Sequence, residues 1–136
     1  MATARCATAI SMNKGLIALP LLFLSLYIPL DAAAGPPPFT QQEIDHLLGY
    51  VENSGCEFYR NGTWYDSQKA VAHLRTKYGF LRPSVNRAED FIEKAASRSS
   101  LSGQPYQVRC GPGVPVPGAQ WLGDELIRFR TTLSRS

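Results

Sequence analysis

The chain has 136 residues, 44% hydrophobic and 18% charged, with 14 basic and 11 acidic side chains and a formal net charge of +3. Bases and acids are interleaved rather than striped, which argues against nucleic acid or an anionic membrane surface as the partner. The length suits one domain around one core and leaves no room for a second.

Arg5 and Lys14 precede Gly15–Leu30, an uncharged apolar run that is followed by Asp31 and Ala32-Ala33-Ala34. A basic start, an apolar middle and a small-residue cleavage site read as a secretory signal over residues 1–34. A retained anchor is the competing reading, since about 16 apolar residues approach the lower bound for a bilayer span. Pro20 and Pro29 within the run argue against it. The expected product is a periplasmic or secreted protein beginning at or within two residues of Gly35, with no stable membrane span after cleavage. Cleavage removes Cys6 and leaves Cys56 and Cys110, an even pair that in an oxidising compartment reads as one disulfide. Two buried thiols or a two-ligand metal site compete with that reading. With no CxxC and only two histidines in the chain, neither is favoured, and no metal or other cofactor is expected.

Residues 35–39, GPPPF, form a proline-rich leader, and the folded domain is expected over residues 40–134. The Thr40-x-x-Glu43 spacing predicts a capping box opening a helix, with Ile44, Leu47, Leu48 and Val51 on one stripe and Gly55 ending it. Cys56–Arg60 and Thr63–Tyr65 read as strands joined at Asn61-Gly62, the pair that most favours a type I′ turn. Asn61-Gly62-Thr63 also matches the glycan acceptor pattern, but the turn already accounts for it. Asp66 caps a second helix, Ser67–Tyr78, with Gly79 as its stop. Pro83-Ser84 opens a third, carrying Val85, Ala88, Phe91, Ile92, Ala95 and Ala96 on its apolar face. Gln104–Cys110 alternates as a strand. GPGVPVPG (111–118) reads as a loop, and Trp121, Leu122, Leu126 and Phe129 mark a last helix. The expected class is α+β: about four helices packed on a three-stranded antiparallel sheet, with one disulfide.

No nucleophile-elbow, zinc-protease or phosphate-loop motif occurs in residues 35–136. His46 lies off its helix's stripe and reads as solvated. His73 flanks the stripe of Ala70, Val71 and Leu74, which suits a half-buried structural hydrogen bond better than acid–base work. Glu89 falls inside an apolar stripe and needs a partner, for which His73, Arg75, Arg60, Ser99 and Ser100 are the candidates. The reading preferred is a buried polar latch; a carboxylate facing a cleft is the alternative. Ser97, Ser99, Ser100 and Ser102 crowd around Arg98 where the third helix stops. Hydroxyls there satisfy terminal carbonyls, while the negative end of the helix dipole disfavours an anion. His73, Glu89, Arg98, Ser99 and Ser100 are the candidate binding residues, and no catalytic set is assigned.

The runs SGCEFYRNGTWYDSQKAVAHLRTKYG and RAEDFIEKAASRSSLSGQPYQVRC resemble the YfeK-like family of small exported bacterial proteins, a domain-of-unknown-function group. The likeness extends over about Glu43–Arg130 and rests on the Arg60-Asn61-Gly62 turn, His73-Leu74 with Lys77, Ala88-Glu89 with Phe91-Ile92, and the Ala96–Tyr106 run. It implies a bacterial, periplasmic protein and brings no activity, ligand or catalytic residue. The expected function is a non-enzymatic domain that binds or modulates a protein or cell-envelope component. The reading from another class is a small hydrolase or transferase using His73, Glu89 and a serine of the 97–102 cluster.

Overall fold

The computed structural model describes residues 35–136; the expected signal and Cys6 lie outside the described residues. In chain order the elements are α1 (Pro38–Asn53), β1 (Glu57–Arg60), β2 (Thr63–Asp66) and α2 (Ser67–Leu81). A 3-10 turn (Arg82–Ser84) leads to α3 (Ala88–Phe91), which runs straight into a π-helical segment (Ile92–Ala96). Then come β3 (Gln107–Arg109), β4 (Val116–Pro117) and α4 (Gly118–Leu133). The class is α+β, and the antiparallel sheet has four strands in the order β2-β1-β3-β4.

The hairpin follows from its turn. Asn61 (φ 49°) and Gly62 (φ 87°) are both left-handed, as a type I′ turn requires, and this sets Arg60 opposite Thr63 and Phe58 opposite Tyr65. β3 lies on the other side of β1 with Val108 opposite Phe58. Cys56 and Cys110, 54 positions apart, are bonded at the end of that pair away from the turn. The fourth strand corrects the expected loop at residues 111–118: Val116 pairs with Val108 and Pro117 with Gln107. Proline signals hide this strand in the sequence, yet an edge strand tolerates a residue without an N–H.

Alternation places Phe58, Arg60, Tyr65 and Val108 on the face turned to the helices. On the outer face Arg109 lies 4.2 Å over the Trp64 ring and pairs with Glu57 at 2.7 Å. The predicted stripes form the core: Ile44, Leu47, Leu48 and Val51 of α1 meet Val71, Leu74 and Tyr78 of α2, Phe91 of α3, and Leu122 and Leu126 of α4. Burying each large apolar side chain there stabilises the fold by roughly 1.5–3 kcal/mol before the entropy of ordering it.

Several local expectations are corrected. α1 begins at Pro38 within the expected leader, since proline suits a helix's first turn. Thr40 makes no capping box; its hydroxyl donates to the Asn86 carbonyl at 3.1 Å, tying α1 to the chain before α3. α2 runs through Gly79 to Leu81 and stops at the turn containing Pro83, because a helical glycine that keeps negative φ terminates nothing. The third helix is split: only Ala88–Phe91 is α-helical, with the Asp90 carboxylate accepting from the Asn86 and Arg87 amides at 2.9 and 3.0 Å. These two bonds hold the Asp90 carboxyl below its ordinary pKa. His46 is not simply solvated: it stacks on Phe129 at 3.9 Å and meets Glu125 Oε1 at 2.7 Å.

Glu89 is corrected most. Its partner is none of the expected residues but Arg130 of α4, whose Nη1 donates to Glu89 Oε1 at 2.6 Å. The same guanidinium grips Glu43 with Nε at 2.6 Å and Nη2 at 3.0 Å. Glu43, read as a cap, is the buried carboxylate, with a side chain only 2% exposed against 43% for Glu89. The two carboxylates raise the Arg130 pKa, and Arg130 lowers that of Glu89. Because Glu89 stays near water, Glu89→Ala is expected to lower stability by less than about 1 kcal/mol. Urea midpoints of the two proteins check this; a loss above about 2 kcal/mol would restore the latch reading.

Candidate functional site

Two clefts open between the sheet and α2, and they share Arg60, His73 and Tyr106. The first, about 280 Å³, has an apolar floor including Val51, Leu74, Val108, Trp121 and Leu122, and Tyr59, Arg60, Tyr65, Lys69, His73 and Tyr106 bring polar groups to it. Close backbone packing shapes one wall. The Gly118 amide donates to the Tyr106 carbonyl at 2.9 Å, and a β-carbon on Gly118 would stand 3.3 Å from the Ala96 carbonyl oxygen. Trp121, one turn into α4, is held by stacking on Tyr50 at 4.4 Å and by its edge contact with Phe58 at 5.7 Å. The second cleft, about 210 Å³, lies among the Asn61 turn, Thr76, Lys77, Ser99 and Ser100, with Phe80 and Leu101 on its rim.

The shared residues form one hydrogen-bonded chain. Arg60 Nη1 lies 2.6 Å from His73 Nδ1, and His73 Nε2 lies 3.2 Å from the Tyr106 hydroxyl. A guanidinium only donates, so Nδ1 accepts and the neutral ring carries its proton on Nε2, which donates to the Tyr106 oxygen. The Tyr106 hydrogen then remains free to donate, as do further N–H groups of Arg60. Burial, then the charges of Arg60 and Lys77, lower the His73 pKa, keeping the ring neutral. Burial, then Arg60, likewise lowers Lys77, while burial raises the Tyr106 phenol. Arg60 beside the Tyr65 hydroxyl lowers the pKa of that phenol, and its guanidinium lies 5.0 Å from the Tyr65 ring centroid.

No carboxylate lines either cleft. Among the described residues, Arg60, Lys69 and Lys77 take part in no ion pair. Lys77 instead donates to the Arg98 carbonyl at 2.7 Å and lies 5.2 Å from the Tyr106 ring centroid.

The serine run is a built turn. The Ser99 amide donates to the Gln104 carbonyl at 3.0 Å, and the Ser99 carbonyl accepts from the Gly103 amide at 2.9 Å. The buried Ser99 hydroxyl oxygen accepts from Asn61 Nδ2 at 3.2 Å and from the Leu101 and Ser102 amides at 3.3 Å. Ser102 donates to Asn61 Oδ1 at 2.6 Å, which fastens this turn to the hairpin. Of the candidate residues, the structure thus brings His73, Ser99 and Ser100 to one cleft. Arg98 lines neither cleft and contributes its backbone, through the Lys77 contact and an isolated bridge to Pro105. Glu89 is held by Arg130 instead, so the set of His73, Glu89 and a serine is not assembled.

Arg60, Tyr106, Lys69 and Lys77 are the residues that sequence reasoning did not single out for binding. One signal was present: Arg60 shares strand parity with Phe58 and so faces inward. An inward arginine without a carboxylate needs another acceptor, and His73 Nδ1 takes only one of its five N–H groups.

His73 gives the site a pH signature. Its folded pKa lies below the ordinary 6.5, so the unfolded chain takes up the proton first. The stability His73 contributes is complete above that value and is lost as pH falls through the folded pKa. Denaturation midpoints at about pH 7.5 and about pH 5.5 should fall further for the parent protein than for His73→Gln, which keeps an acceptor but cannot titrate. Equal slopes would refute the neutral ring.

Comparison with known proteins bears out the resemblance read from the residues. The chain is 36% identical over 84 residues to "Uncharacterized protein YfeK" of Salmonella typhimurium, covering 61% of this chain and 70% of that protein. No solved structure matches. A family model described as "Family of unknown function (DUF5329)" matches residues 38–130, nearly all of the described fold, and the chain belongs to that family.

Proposed function

We propose that the protein is exported, loses residues 1–34, and acts in the periplasm or outside the cell as a non-enzymatic binding domain for an envelope component. Its binding site is the double cleft centred on His73. The observation that carries this reading is the Arg60–His73–Tyr106 chain, which ends in free donors beside apolar surface and has no carboxylate to answer them. Every buried side-chain nitrogen and oxygen among the described residues has a hydrogen-bond partner, so the hydrogens left over are those facing the clefts, and a concave apolar site with a few converging polar groups is the usual form of a ligand pocket. Phe80 and Leu101, 83% and 97% exposed, border the second cleft and add apolar contact surface.

Expression of the full chain, fractionation and native mass spectrometry test this. The expected result is an osmotically released protein with its N-terminus at or near Gly35 and a bound small molecule. That molecule should be absent from Ala70→Phe, which fills the first cleft. A chain retained in the membrane with its leader would overturn the localisation, and a ligand equally present in Ala70→Phe would overturn the site.

A further inference from the structure

We infer that the first cleft takes a short amphiphilic anion, a medium-chain acyl carboxylate, with its head group on Arg60 and Tyr106 and its chain on the apolar floor. The inference rests on the binding reading above and names the ligand class for that site. Three observations carry it.

The first is the direction of the polar chain. Arg60 donates to His73 and His73 donates to Tyr106, so both ends of the relay offer hydrogens to a newcomer, which must therefore be an acceptor. The second is charge. Arg60 and Lys69 line the cleft with no acidic residue among its walls, and Lys69 makes no side-chain hydrogen bond or ion pair among the described residues. A neutral acceptor would leave that positive field unanswered, whereas a carboxylate matches a guanidinium in charge and in fork geometry. The third is the floor. Val51, Leu74, Val108, Trp121 and Leu122 offer no polar side-chain group except the Trp121 indole N–H, so whatever follows the head group is apolar. At about 280 Å³ the cleft lies just under the ~300–1,000 Å³ usual for ligand pockets. That size favours octanoate or decanoate over a long-chain acid.

The test is calorimetric titration of the exported protein, freed of bound lipid, with decanoate, decan-1-ol and decyltrimethylammonium, while Trp121 fluorescence reports occupancy. Decanoate should bind at one saturable site, on the order of tenfold more tightly than decanol, and the cation should not bind. Arg60→Gln should erase the preference for decanoate over decanol. Lys69→Gln, a change at an exposed residue, should reduce it several-fold, which keeps the test valid if Arg60→Gln fails to fold. Equal affinity for acid and alcohol, preference for the cation, an unchanged ratio in both variants, or no decanoate binding by folded protein would each overturn the inference. Tighter binding of a peptide ending in a free leucine carboxylate than of decanoate would overturn the acyl assignment in favour of a protein C-terminus. These failures are separable from failure of the binding reading. A different small molecule seen by native mass spectrometry, and lost in Ala70→Phe, would leave the site standing with another ligand class.

Discussion

Replacing Arg130 by methionine should lower the free energy of unfolding by about 3 kcal/mol, because Glu43 then keeps a buried charge with no counterion. The Glu43 side chain is 2% exposed and receives two N–H groups from Arg130. Glu89 gains nothing from the change and, being at the surface, loses little. The double variant Glu43→Met/Arg130→Met should recover most of the loss, since apolar side chains of similar volume often replace a buried ion pair without penalty. Urea denaturation of the parent, both single variants and the double variant measures the coupling directly. Additive losses would show that the two residues act separately and that Glu43 finds solvent once Arg130 has gone.

Loss of the Cys56–Cys110 bond should be felt still more. The bond joins residues 54 positions apart, and the chain-entropy estimate for a loop of that length is about 4 kcal/mol. A small domain has only ~5–15 kcal/mol in all. The doubly substituted Cys56→Ser/Cys110→Ser protein is therefore expected to be marginal at physiological temperature, with β1 and β3 separating first at the end the bond now holds. Thiol titration of the unreduced, unfolded parent should find neither Cys56 nor Cys110 free. A melting temperature unmoved by the double substitution would refute the contribution assigned to the bond.

The parts of this fold that could be read in the sequence were those set by neighbours along the chain. The Asn61-Gly62 turn, the Asp66 cap and the stripes at Ile44–Val51 and Val71–Tyr78 depend on local geometry, and each stands where its spacing put it. Beyond helix ends such as Pro38 and Gly79, what failed depended on distant partners or on a change of helix type. Glu43 lies three residues after Thr40 and so looked like a cap, but Arg130, 87 positions away, claims it. Glu89 lies four residues after Val85 and three before Ile92 and so looked part of one buried stripe, yet Val85 is extended, the helix begins only at Ala88 and a π segment takes over at Ile92, and the Glu89 side chain is half exposed. A π segment has no pattern that a 3.6-residue period would reveal. For the site, His73 was found because a polar ring beside an apolar stripe is conspicuous. Arg60 was named only as a partner for Glu89. Its role emerges once the sheet register turns it toward His73 and no acid approaches.

The disulfide also decides how the molecule responds to tension. Cys56 and Cys110 close a covalent ring that contains the hairpin, α2, α3, the π segment, the serine turn and β3, and leave α1, β4 and α4 outside. Pulled through its flanking segments, the chain would transmit load across the sulfur bridge. The 54 residue steps within the ring, roughly 180 Å of contour, could not be drawn out. Only α1 at one end, and β4 with α4 at the other, can peel. Arg60, His73 and Tyr106 travel together inside the ring, whereas Trp121 leaves with α4. Mechanical opening would therefore take Val51, Trp121 and Leu122 from the first cleft, while Leu74, Val108 and the polar relay stayed within the closed loop.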